Sequence, residues 1–209
     1  MIVVIGPIAL RGIGAEAVAD GLTARVAAAA AAAGSRVEVI ARVGDDPQGD
    51  DLLLALARAS VGHVAVLRDP AHPTVVLPPD DLDGDVAAEA PDTLPIPDES
   101  HAPTLDPADV GLALRYLTDF RVAVVVHPPS DGILAEVVGA ASWAGAHVVA
   151  LLAPDDPPAA VLPPDALVVT VLPSAAEDVG GLIGHYAAAV DLGGPPDDAF
   201  AALRVAAEV

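Results

Sequence analysis

The sequence predicts an α/β fold: a doubly wound, mostly parallel sheet with helices on both faces. Short Val/Ile-rich runs alternate along the chain with longer Ala/Leu-rich stretches. Hydrophobic residues make up 54% of the 209 positions and aromatics only 2%, so the core must be built from Ala, Val and Leu. Such a core suits thin, closely packed layers, and the length suits one compact domain over residues 1–209.

Each element has its own signal. Met1-Ile-Val-Val-Ile-Gly6 reads as a buried strand over Ile2–Ile5 and lacks the charged region and cleavage site of a signal peptide. An Ala-rich helix is expected over Ala19–Ala33, closed by Gly34 at the position a C-terminal glycine favours. Its run Val26–Ala33 is far shorter than a membrane span requires. A strand over Arg36–Ala41, a helix over Gly49–Ala59 and a strand over His63–Leu67 follow. Thr74–Leu77 reads as a further short strand, antiparallel or at an edge. The stretch Pro78–Pro103 is rich in Pro, Asp and Glu with little periodicity, and is expected to be a long acidic surface loop.

Beyond it, Asp106 precedes Pro107 as an N-cap before a proline at the first helical position, which opens a helix over Pro107–Thr118. Ser130 stands likewise before a helix over Asp131–Ala144. Strands are expected over Arg121–His127, His147–Leu152 and Leu167–Leu172, and helices over Ala175–Val190 and Asp197–Ala207.

The formal charge is −21, from 30 acidic and 9 basic residues, every basic one an Arg. Phosphate backbones and anionic headgroups attract basic clusters, so nucleic acid and membrane are not expected as partners. There is no cysteine, which excludes disulfides, thiolate metal sites and Cys nucleophiles. A cytoplasmic protein is expected. The six His residues include no His-x-x-x-His pair, and no Ser sits in Gly-x-Ser-x-Gly. Asp81-Leu-Asp-Gly-Asp85 lacks the glycine register and closing Glu of a calcium loop. Gly12-Ile-Gly14 lacks the third glycine of a dinucleotide fingerprint.

Three stretches carry a more specific signal. They are Gly34-Ser-Arg-Val-Glu-Val-Ile-Ala-Arg-Val-Gly-Asp-Asp-Pro-Gln-Gly49 with its following helix, Leu167-Val-Val-Thr-Val-Leu-Pro-Ser-Ala-Ala-Glu177, and Val190-Asp-Leu-Gly-Gly-Pro-Pro-Asp-Asp-Ala-Phe200. In that order they resemble the ribokinase (PfkB-type) sugar-kinase family. The first is similar to its strand, Gly-Asp-Asp turn and helix; the second to its strand entering Pro-Asn-x-x-Glu; the third to its Asp-Thr-x-Gly-Ala-Gly-Asp-Ala-Phe signature.

The resemblance implies roles for particular residues. Glu177 and Ser174 fall where the family organises magnesium and phosphate, with Ser174 in place of Asn. Gly193 and Gly194 fall in the anion-holding turn, and Asp198, with Asp197 as alternate, falls at the catalytic base. Pro195 and Pro196 replace small residues there, and each removes a backbone N–H donor. Arg11 stands where a sugar-binding Asp is usual, and Gly21 with Arg25 falls in the substrate motif Gly-Gly-x-x-x-Asn, Arg25 replacing Asn. The connection between Gly6 and Gly21 is shorter than the family's β-strand lid needs, and the nucleotide-binding strands after Glu177 have no counterpart. The expected fold is therefore ribokinase-like, with the lid and part of the nucleotide-binding half missing.

Each of these residues also has a plainer reading. Asp197 and Asp198 are either catalytic or helix N-terminal acids that complement the dipole. Gly193 and Gly194 form either an anion nest or a turn. Arg11 and Arg25 either hold a small anionic ligand or make salt bridges. Two functions are expected from these alternatives. One is a degenerate kinase homologue acting as a binding, regulatory or partner subunit, with a second copy, another protein or a small anionic ligand as its partner. The other is a reduced but active sugar or nucleoside kinase using ATP, Mg²⁺ and Asp198.

Overall fold

The computed structural model describes residues 1–12, 14–78, 102–128, 130–154, 160–172 and 175–207. Among these described residues six strands form one parallel sheet: β1 (Ile2–Ile5), β4 (Val37–Gly44), β5 (Gly62–Asp69), β7 (Val122–Val126), β8 (His147–Leu152) and β9 (Leu167–Thr170). Their order is β5-β4-β1-β7-β8-β9, with every neighbouring pair parallel. A second sheet, ordered β3-β2-β6, joins β2 (Ala9–Arg11), β3 (Val18–Asp20) and β6 (Val76–Leu77).

The helices are α1 (Leu22–Ala32), α2 (Pro47–Arg58), α3 (Pro107–Tyr116), α4 (Asp131–Ala144), α5 (Ala176–Asp191) and α6 (Pro196–Ala207). They divide between the two faces of the large sheet by the alternation of its strands. Ile2 and Val4 pack with α1, α2, α5 and α6, whereas Val3 and Ile5 pack with α3 and α4. The double winding follows from these continuous apolar strands, which need cover on both sides.

Close helix packing replaces the missing aromatics. A Cβ on Gly184 would lie 2.5 Å from the Ala29 Cβ, and one on Gly180 would lie 2.8 Å from the Arg25 Cβ. These two glycines, one turn apart on α5, let it settle against the Ala-rich face of α1.

The expected strands and helices of the large sheet are all present, with ends shifted by at most three residues. The region before α1 differs. The helix expected from Ala19 begins at Leu22, because Val18–Asp20 pairs antiparallel with Ala9–Arg11. The Gly6–Gly21 connection is thus a small hairpin. Val76–Leu77 is parallel to β2, at the edge of this small sheet rather than of the large one. Most of the acidic Pro-rich segment lies outside the described residues. Among the described residues no helix is long and apolar enough to cross a membrane.

Candidate functional site

In an open parallel sheet, ligands gather where neighbouring strands send their connections in opposite directions. Here that point lies between β1, which leads through α1 to β4, and β7, which leads through α4 to β8. Gly6 closes β1 at this crevice. A Cβ on it would stand 2.6 Å from the Val126 carbonyl oxygen and 2.7 Å from Thr23 Oγ1, so the approach requires glycine. Thr23 Oγ1 and His127 Nε2 are both buried, with no hydrogen-bond partner among the described residues. His127 also holds a left-handed backbone, φ 41°, at the end of β7.

Beside the crevice, the small sheet delivers Asp20 to the start of α1. Asp20 is buried and takes Arg11 Nε on one oxygen and Arg25 Nε, at 2.8 Å, on the other. The Gly21 N–H, held at φ 90°, donates to the same carboxylate at 2.6 Å. Burial pushes the Asp20 pKa up, but the bonds from Arg25, Arg11 and Gly21 outweigh it and bring the value down to about 2. Arg11 and Arg25 are thus both tied to one carboxylate, and Arg11 also donates to the Pro78 carbonyl at 2.8 Å. Sequence reasoning named both arginines and Gly21, yet missed the acid between them.

A second knot covers the ends of β4 and β5. Asp46 caps α2, accepting from the Gly49 N–H at 2.7 Å. It also takes the Thr74 hydroxyl at 2.7 Å and the Thr74 N–H at 2.8 Å. Thr74 in turn receives the Gly44 N–H at 2.9 Å. Burial opposes ionisation of Asp46, and the Thr74 and Gly49 bonds overcome it, leaving the pKa lowered. Asp69 accepts from the Ala71 N–H at 2.8 Å and stands 3.0 Å from His72 Nδ1, which also lower its pKa. The Gly-Asp-Asp turn therefore shapes the backbone.

The turn after α5 lies at the other end of the sheet. Asp191 Oδ1 accepts from the Met1 amino group at 2.5 Å, and its carbonyl from Arg121 at 3.2 Å; Met1 and Arg121 immediately precede β1 and β7. Tyr186 meets His147, the first residue of β8, at 2.8 Å. Burial, helped by Asp197, pushes the Tyr186 hydroxyl up to about 12. Gly193, Gly194, Asp197 and Asp198 follow directly on Asp191 and thus stand at the amino end of the strands.

Their local chemistry is that of a helix terminus. The Gly193 N–H donates to the Val190 carbonyl at 3.0 Å and the Gly194 N–H to the Ala189 carbonyl at 2.9 Å. With Gly193 at φ 100°, this is a glycine C-cap that uses both donors to finish α5. Asp197 and Asp198 are exposed in the first turn of α6, where they complement its dipole. Glu177 begins α5 at the carboxyl end, one turn before Gly180, while Ser174 lies outside the described residues.

The structure therefore brings Arg11, Gly21 and Arg25 together and does not bring Asp197, Asp198, Gly193 or Gly194 to them. Nucleotide phosphates do not fit the Gly193–Gly194 turn, whose N–H groups are already bonded. Among the described residues no group of three or more His, Asp or Glu is placed to hold a metal ion.

No family model matches the sequence, and no curated protein does. Solved structures do match by shape. A fructokinase from Xylella fastidiosa with bound ATP superposes with a TM-score of 0.53 at 18% identity, covering 97% of this chain and 64% of that one. A sugar kinase from Pyrococcus horikoshii gives 0.52 at 18% identity over 72% of this chain and 52% of its own. A fructokinase from Halothermothrix orenii gives 0.58 at 13% identity, covering 98% and 96%. The chain thus spans about half to two thirds of the Pyrococcus and Xylella proteins. The parallel sheet order, the helices on its two faces and these superpositions together give the chain the fold of the ribokinase-type (PfkB) sugar kinases.

Proposed function

We propose that this chain is a degenerate ribokinase-like protein that works by binding, as a regulatory or partner subunit, rather than by phosphoryl transfer. One observation carries the reading: the residues that would supply base and anion cradle stand at the amino end of the sheet. Those that would read the substrate stand at the carboxyl end. Phosphoryl transfer depends on positioning the nucleophile, base and phosphate together, and the length of a strand separates them here.

A small ligand would sit at the carboxyl-end crevice. Support for this comes from Thr23 Oγ1 and His127 Nε2, since an unpartnered buried polar group costs on the order of 1–3 kcal/mol that a ligand atom would offset. The Arg11–Asp20–Arg25 group at its rim favours a ligand with an anionic group.

Calorimetric titration with ATP and Mg²⁺ tests the reading. No binding and no turnover are expected. Micromolar binding accompanied by sugar or nucleoside phosphorylation, lost in Asp198→Asn, would overturn it in favour of an active kinase.

A further inference from the structure

The two outer strands of the large sheet are finished differently. Along β5 the edge carries His63 and Arg68, and its pairing with β4 is broken by a register shift between Glu38 and Ile40. Charges and bulges of this kind keep a strand edge from pairing with another chain. By contrast β9 has neither. From Leu167 to Leu172 the sequence is Leu-Val-Val-Thr-Val-Leu, without charge, proline or register shift.

The edge is also chemically open. Val171 donates its N–H to the Leu152 carbonyl at 2.9 Å. Alternation along the strand then turns the backbone groups of Val168 and Thr170 away from β8. Among the described residues no strand pairs with that side. Val168 is 46% exposed and Leu172 55%. Beside the edge runs a groove of about 490 Å³, lined by Leu167–Thr170, Phe200, Leu203 and Arg204.

We propose that β9 pairs antiparallel with β9 of a second copy of this chain, making a two-fold dimer with one continuous sheet. Charge selects this occupant. The chain bears −21, yet among the described residues no carboxylate lines the groove, so two copies meet here with the least repulsion. The positive group at the groove, Arg204, stands in the last turn of α6; α6 starts at the amino end, so its last turn lies toward the carboxyl end. An antiparallel copy brings its own Asp165, two residues ahead of β9, to that same end. A two-fold contact makes each such pair twice, and apolar side chains of the incoming strand fill the groove beside Phe200 and Leu203.

Sedimentation velocity over a range of protein concentrations, at physiological salt to screen the net charge, tests the proposal. The expected result is a monomer–dimer equilibrium whose Kd rises more than about tenfold in Val168→Lys. Circular dichroism should show that variant folded. Hydrogen exchange supplies the second readout: the Val168 and Thr170 amides should be protected at dimer concentrations and exchange freely on dilution. A monomer at every concentration would overturn the proposal, as would a dimer unaffected by Val168→Lys. So would a blue shift of the single Trp143 on association, which would assign the contact to the α3–α4 surface where that residue is exposed.

Discussion

The carboxyl and amino ends of this sheet both carry aspartates beside glycines, and the two groups behave in opposite ways. At the carboxyl end, Asp20 is buried, two arginines and a backbone N–H hold it, and its pKa falls to about 2. At the amino end, Asp197 and Asp198 stand in solvent, next to glycines whose N–H groups only finish a helix. The residue types are alike; desolvation and partners separate them. A carboxylate does chemistry or holds structure according to what surrounds it, and a motif read along the chain does not carry its surroundings with it.

The sharpest way to break this contrast is Asp20→Asn. Removing the carboxylate leaves Arg11 and Arg25 facing each other half-buried, and the expected loss is about 2–4 kcal/mol in chemical denaturation. Asp198→Asn at the other end should stay within about 0.5 kcal/mol of the parent. Equal losses at the two ends would abolish the distinction.

Acid titration sharpens the same point. A carboxylate whose pKa is lowered from 3.8 to about 2 stabilises the folded state fully above 3.8, and that contribution disappears as pH falls toward 2. The amount is on the order of 2 kcal/mol. Unfolding free energies measured down this range should show the loss in the parent and not in Asp20→Asn.

Smaller effects are expected from the turns. Asp46→Ala deletes the α2 cap and the Thr74 anchor together and should cost about 1–2 kcal/mol, seen as a lower Tm. Gly193→Ala forces a Cβ onto a left-handed backbone and should cost about 1 kcal/mol. That loss should come without any change in ligand binding at the carboxyl end.

The large sheet was legible because its strands are continuous apolar runs whose lengths and punctuation admit one reading. Ile2–Ile5, His147–Leu152 and the helix Asp131–Ala144 occur with the expected ends. Asp106 forms its expected cap, accepting from the Asp109 N–H at 2.9 Å, whereas the Ser130 side chain makes no capping bond to α4 among the described residues. Of the small sheet only Val76–Leu77 was legible, inside the strand expected over Thr74–Leu77; Ala9–Arg11 and Val18–Asp20 were not, since three-residue strands have no period of their own. Ala19 and Asp20 border an Ala-rich run and read as its first turn until Arg11 and Arg25 are seen to hold Asp20.

The site was legible only in part, and for a geometric reason. Arg11, Gly21 and Arg25 lie within one short stretch, so nearness in sequence became nearness in space. The Gly193–Asp198 turn depended on which end of the sheet α5 reaches, and that follows from the length of one helix. Thr23 was not singled out, and His127 was noted only as a histidine at a strand edge, because each reads as an ordinary residue at an element end. A threonine in the first turn of a helix that follows a glycine-ended strand was the available signal.

The contact between α1 and α5 joins residues more than 150 positions apart through Gly180, Gly184 and Ala29. Because α1 finds its bed only on α5, the small-residue face of α1 must wait, during synthesis, for more than 150 further residues to emerge. Folding is then ruled by long-range closure, slow relative to a protein of local contacts. The nascent amino-terminal half, rich in alanine and valine, spends that interval in need of protection from its neighbours.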